Sequence, residues 1–138
     1  MVGDLSIPIL KEFLNNAEKQ QPPRDPYVLI NLSPAVDLNT SIKKIKIFLT
    51  KYPKAHPIFF PAHLSEDLPL GKRLQEDIPS LEIIDWTSMG LDQALKLFYF
   101  AEAGIGERLH FLSTLKLFEK EYEVLEMSHK IQVNLLEL

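Results

Sequence analysis

Apolar residues along this chain of 138 residues fall into two alternating patterns. Short runs that are apolar at nearly every position stand between stretches where apolar side chains recur every three or four residues. Tyr27-Val28-Leu29-Ile30-Asn31-Leu32 is such a run, as expected of a central parallel strand covered on both faces. Pro57-Ile58-Phe59-Phe60-Pro61, Leu81 to Ile84 and Tyr122 to Glu126 read as further short strands. Between them, Ile42, Ile45, Phe48, Leu49 and Tyr52 form one helical stripe that Thr40 is placed to cap. Leu70, Leu74 and Ile78 mark a helix reaching Pro79, and Leu91, Ala94, Leu95 and Phe98 mark another. The stretch from Phe98 to Met127 adds a very short buried strand and a helix packed through Leu109, Phe111, Leu112, Leu115 and Phe118, before the last strand. At the ends, Ile9, Leu10, Phe13, Leu14 and Ala17 predict a helix over 7–19, and Ile131, Leu135 and Leu138 a terminal one.

One helix followed by five β-α units implies right-handed crossovers and a parallel sheet. The expected fold is a Rossmann-like, doubly wound five-stranded parallel sheet in the order 3-2-1-4-5, with helices on both faces. Gln20-Gln21-Pro22-Pro23-Arg24-Asp25-Pro26 cannot belong to a regular element, so residues 1–26 read as a helix and proline-rich joint ahead of a domain over 27–138. A sheet of this order opens a crevice between strands 1 and 4 at their carboxyl ends. Ser33-Pro34 and Gly106-Glu107-Arg108 would border it, with His63 and Asp67 nearby.

Composition narrows the chemistry. The chain is long enough for one domain with a real core, with 46% apolar and 25% charged residues. A net charge of −4 and no basic stripe exclude a nucleic-acid binder. Cysteine is absent, which removes disulfides and thiolate chemistry. No signal peptide and no membrane-spanning run of about 18 apolar residues is visible, and a cytoplasmic protein is the default.

The strongest candidate for chemistry is Gly104-Ile105-Gly106-Glu107-Arg108-Leu109-His110. Two glycines at a strand-to-helix turn would let the backbone bend and a ligand come close. An arginine fork binds a carboxylate or phosphate in bidentate fashion, and a neighbouring imidazole can donate to the same anion or act as a general acid. Glu107 opposes an anionic ligand unless it pairs with Arg108 or a lysine. Asp67 is close enough in the chain to orient the His63 imidazole, or else caps the helix ahead of Leu68-Pro69. His56, before Pro57, reads as surface, and His129 with Lys130 as a solvated helix start. The histidines lack metal-binding spacing, and neither a dinucleotide fingerprint, a P-loop nor a nucleophile elbow is present, so no metal or cofactor is expected.

Four pieces together resemble the C-terminal half of the polysaccharide pyruvyl transferase family, which is similar to GT-B glycosyltransferases in fold. They are Val28 to Pro34, Phe59-Phe60-Pro61-Ala62-His63 with Asp67, Gly106-Glu107-Arg108-Leu109-His110 beside the family's G-x-R-L-H, and Tyr122 to Lys130. The resemblance covers residues 27–138 and implies transfer of a pyruvyl group from phosphoenolpyruvate onto a sugar of a cell-surface glycan precursor. It assigns Arg108 to the anionic donor as a carboxylate or phosphate clamp, and His110 to an anion contact or general acid. Gly106 and Ser33 border the same donor crevice, and His63, Asp67 and Lys130 carry over more weakly. Ser128-His129 replaces the family's Tyr-Asp pair, and Glu107 adds a negative charge. The family also has an acceptor domain before this one, so the chain is expected to hold half a site, completed by a missing domain or partner subunit. Two rival expectations are the nucleotide-sugar-binding half of a GT-B glycosyltransferase, and a non-catalytic domain whose stripe over 7–17 docks on a partner or a second copy.

Overall fold

The computed structural model describes residues 24–34 and 37–125. The helices expected over 7–19 and at the C-terminus, with His129 and Lys130, lie outside the described residues. Five strands form one parallel sheet: β1 (Tyr27–Ile30), β2 (His56–Phe59), β3 (Glu82–Ile83), β4 (Ala103–Gly106) and β5 (Glu121–Val124). Their order is β3-β2-β1-β4-β5, as the alternating pattern predicts. The helices α1 (Leu38–Thr50), α2 (Leu64–Asp77), α3 (Leu91–Tyr99) and α4 (Leu109–Leu117) alternate with them, and a 3-10 turn spans Trp86–Ser88. Among the described residues no helix is long and apolar enough to cross a membrane.

β1 shows why the central run has no polar alternation. Tyr27 and Leu29 face a layer with Phe98, Leu112 and Leu115 from α3 and α4. Val28, Ile30 and Leu32 face Ile42, Ile45, Phe48 and Leu74 from α1 and α2. Each side chain buried this way contributes about 1.5–3 kcal/mol. The buried Tyr27 hydroxyl keeps a partner by donating to the Leu97 carbonyl at 2.6 Å.

Three local expectations are corrected. α1 is capped by Asp37 rather than Thr40: the Asp37 carboxylate accepts the Thr40 N–H at 3.0 Å, which leaves Thr40 inside the helix. α2 begins at Leu64, so Asp67 lies in its first turn and Pro69 within it. The Asp67 N–H donating to the His63 carbonyl at 2.8 Å closes that turn ahead of the proline. Gly104 and Gly106 belong to β4, and neither has positive φ. They provide room instead of a bend. A Cβ on Gly104 would overlap Leu115 Cδ1, and one on Gly106 would lie 2.7 Å from the Phe111 ring. α4 thus packs directly on the backbone of β4, which sets where Arg108 and His110 stand.

Candidate functional site

Asn31, just beyond β1, joins three strand ends. It is fully buried, and its Nδ2 donates to the Phe60 carbonyl and to Asp67 Oδ2, both at 3.0 Å. Its Oδ1 accepts the Arg108 backbone N–H at 3.3 Å. One side chain therefore fixes the segments after β1, β2 and β4 relative to one another. No motif or periodicity in the sequence singles it out. The available signal was a lone amide at the carboxyl end of an otherwise apolar strand.

Asp67, with no exposure, is the second anchor. Arg108 grips it through Nε, at 2.9 and 3.1 Å from the two carboxylate oxygens, and through Nη2 at 2.7 Å. The carboxylate also accepts the His63 backbone N–H at 3.1 Å. Its hydrogen bonds to Arg108 raise the guanidinium pKa further above its ordinary value, against the opposing effect of burial. Asp67 therefore orients a guanidinium, and the expected contact with the His63 imidazole is replaced by one with that residue's backbone. The His63 ring lies instead 3.6 Å from Glu66 Oε1 through Nε2 and 3.4 Å from Ser65 Oγ through Nδ1.

The Arg108 side chain is 27% exposed. With Nε and Nη2 committed to Asp67, its outer edge carries Nη1, which has no hydrogen-bond partner among the described residues. Glu66 Oε2 lies 3.7 Å from Nη2. Arg108 is also the N-cap residue of α4, and its side chain makes no cap hydrogen bond to that helix. The first amides of α4 lack intrahelical acceptors, as at any helix start. The buried Ser33 hydroxyl donates to the Glu107 carboxylate, whose charge still acts on Arg108. His110 is exposed in the first turn of α4, and its carbonyl accepts the Ser113 and Thr114 hydroxyls at 3.2 and 2.6 Å.

Ser33, His63, Glu107, Arg108 and His110 share the mouth of a cleft of about 790 Å³ at the carboxyl edge of the sheet. Its remaining lining is mostly apolar and includes Phe60, Trp86, Met89, Leu95, Phe98 and Phe111. Of the described residues placed at the crevice beside β1 and β4, Ser33, His63, Glu107 and Arg108 line this cleft together with His110, whereas Pro34 does not and Asp67 lies behind Arg108. Gly106 stays behind them in the sheet, its carbonyl accepting the Leu125 N–H at 2.9 Å. Lys130 lies outside the described residues. Trp86 is a second residue the sequence analysis missed, because it stands in a short turn with no periodic pattern. Among the described residues no cluster of three or more His, Asp or Glu could hold a metal ion. No protein-family model matches the chain, and no curated protein sequence matches it.

Proposed function

We propose that residues 27–138 form the donor-binding domain of a polysaccharide pyruvyl transferase-like protein, which uses phosphoenolpyruvate to place a pyruvyl ketal on a sugar of a cell-surface glycan precursor. The observation that carries this reading is the seat of the G-E-R-L-H turn. It leaves β4 beside the end of β1, at the switch point of the sheet, and its arginine is held from behind by a buried carboxylate. Asp67 fixes the inner edge of the guanidinium, which leaves Nη1 and the amides at the start of α4 for an incoming carboxylate or phosphate. In ketal formation the methylene carbon of the donor takes a proton, two sugar hydroxyls add to the neighbouring carbon, and phosphate leaves. One hydroxyl proton replaces the one delivered to the methylene carbon, and the other departs with the phosphate. His110 is the proton donor in this scheme, His63 lines the same cleft, and the Glu107 carboxylate accepts the Ser33 hydroxyl. The sugar acceptor and the wall that faces this turn come from a second domain or a partner subunit.

Calorimetric titration with phosphoenolpyruvate tests the reading. Weak, measurable binding that falls by about tenfold in Arg108→Lys, with circular dichroism unchanged, is the expected result. A UDP-sugar that binds where phosphoenolpyruvate does not would point to a glycosyltransferase half. Binding of neither would leave a non-catalytic domain.

A further inference from the structure

The cleft extends well past the turn that would hold a three-carbon donor. Its floor is built on Phe60, whose ring centroid lies 4.9 Å from Phe98 and 6.2 Å from both Phe111 and Trp86. The Trp86 Nε1–H donates to the Pro61 carbonyl, so the polar atom of the indole is already used. The Thr114 hydroxyl is likewise committed to the His110 carbonyl. Met89 and Ala94 continue the wall in hydrocarbon. At about 790 Å³ the space matches the few hundred to about 1,000 Å³ typical of small-molecule sites. The Thr87 hydroxyl, also in the lining, donates to Asp85, so the two threonines offer a nucleobase acceptors but no free hydroxyl proton, whereas a hydrocarbon body would lose nothing by entering the largely apolar floor.

We propose that this cleft binds a compact apolar group covalently joined to an anion, the apolar body on the Phe60 floor and the anion at Arg108 Nη1 and the start of α4. The anionic half rests on the donor-site reading above; the apolar half stands on the cleft alone. Asp67 offsets the charge of Arg108, so directed N–H groups, more than net charge, hold the anion. Two further carboxylates stand close by: Glu107, which accepts the Ser33 hydroxyl, and Glu66, 3.7 Å from Nη2.

Trp86 is the only tryptophan in the chain, so its emission reports occupancy of the cleft. The full chain is titrated with adamantyl phosphate, adamantanol and inorganic phosphate, none of which absorbs where tryptophan is excited. Adamantyl phosphate is expected to shift the emission and to bind about tenfold or more tighter than either half alone. Ala94→Phe fills the cleft without removing a hydrogen bond and should weaken adamantyl phosphate by about tenfold, with phosphoenolpyruvate binding unchanged. Gly90→Leu is a second filling variant, at a position where a Cβ meets nothing within 4 Å. Adamantanol binding as tightly as its phosphate overturns the anionic half, and inorganic phosphate binding as tightly overturns the apolar half. An unresponsive Trp86, or full affinity in both filled variants, overturns the whole proposal. If adamantyl phosphate binds and phosphoenolpyruvate does not, the apolar site stands and pyruvyl transfer is what fails.

Discussion

Arg108 and Asp67 form an unequal pair: the carboxylate has no exposure, whereas the guanidinium side chain keeps 27%. Removing the arginine is therefore the costlier change. Arg108→Met strands a buried negative charge and should destabilise the fold by about 3–5 kcal/mol, while Asp67→Leu, which frees a cation that water can reach, should cost nearer the lower figure. The double variant Asp67→Leu/Arg108→Met leaves neither charge and should cost clearly less than the sum of the two. Urea unfolding of the four proteins checks this, and strict additivity would show that the two charges are not coupled. Asn31→Ala removes two donated bonds and one accepted bond from the same cluster. A loss of about 1–3 kcal/mol is expected from the buried groups it leaves unpaired. If Asn31 also positions Arg108, phosphoenolpyruvate affinity falls in that variant while the protein is still folded at the assay temperature.

At the scale of elements, the approach of α4 to β4 decides where the donor turn stands, and two glycines set that distance. Gly106→Ala would drive a methyl group into the Phe111 ring at 2.7 Å with Asn31 Cβ at 3.1 Å, and neither neighbour can swing away. Gly104→Ala meets the end of Leu115, which can change rotamer. Thermal unfolding should show Gly106→Ala destabilised by about 1–3 kcal/mol and Gly104→Ala by less. Equal effects would mean that α4 moves as a body. These glycines also mark where the sequence stopped being legible. The double winding and strand order followed from apolar runs alternating with helical stripes, because each strand is covered by the helices next to it in the chain. The use of Gly104 and Gly106 depends on which side chains of α4 lie over them, and spacing cannot show that. Spacing offers Asp67 either to the His63 imidazole, four positions away, or to a helix cap, but its side-chain partners are Asn31 and Arg108, 36 and 41 positions off. The cap of α1 moved to Asp37 for a smaller reason: Asp and Thr cap comparably, and Asp37 gains the Thr40 N–H as well.

Across the whole molecule the sheet is apolar at its centre and titratable at both edges. At the β3 edge, Arg24 reaches Glu82 at 2.7 Å and His56 reaches it at 3.1 Å, so His56 is half-buried and paired rather than simply at the surface. The Arg24 hydrogen bond, helped by His56, holds the Glu82 carboxyl below its ordinary value. A depressed carboxyl stabilises the fold above its unfolded pKa of about 4.5, and that contribution disappears as pH falls through the folded value. Because the Glu82 side chain is 38% exposed, its share is about 0.2–1 kcal/mol, and Glu82→Gln should flatten the acid limb of stability against pH by no more than that. At the β5 edge, Lys44 donates to the Leu125 carbonyl at 2.8 Å, and the Tyr52 hydroxyl donates to Glu121 at 2.9 Å. Burial, then the Glu121 hydrogen bond and neighbouring carboxylates, push the Tyr52 phenol up to about 12 from 10.0. A raised phenol has the opposite sign: its contribution is complete below about pH 10 and is lost as pH climbs towards 12. Glu121→Gln removes an acceptor and a negative charge, so absorbance titration should show one phenol ionising earlier than in the parent, and the alkaline loss of stability, which still begins near pH 10, should be smaller and end sooner. The sensitive comparison is with Glu82→Gln, which should leave that alkaline limb untouched. If Glu82→Gln shifts it, the two edges of the sheet open together and the central strands do not insulate them.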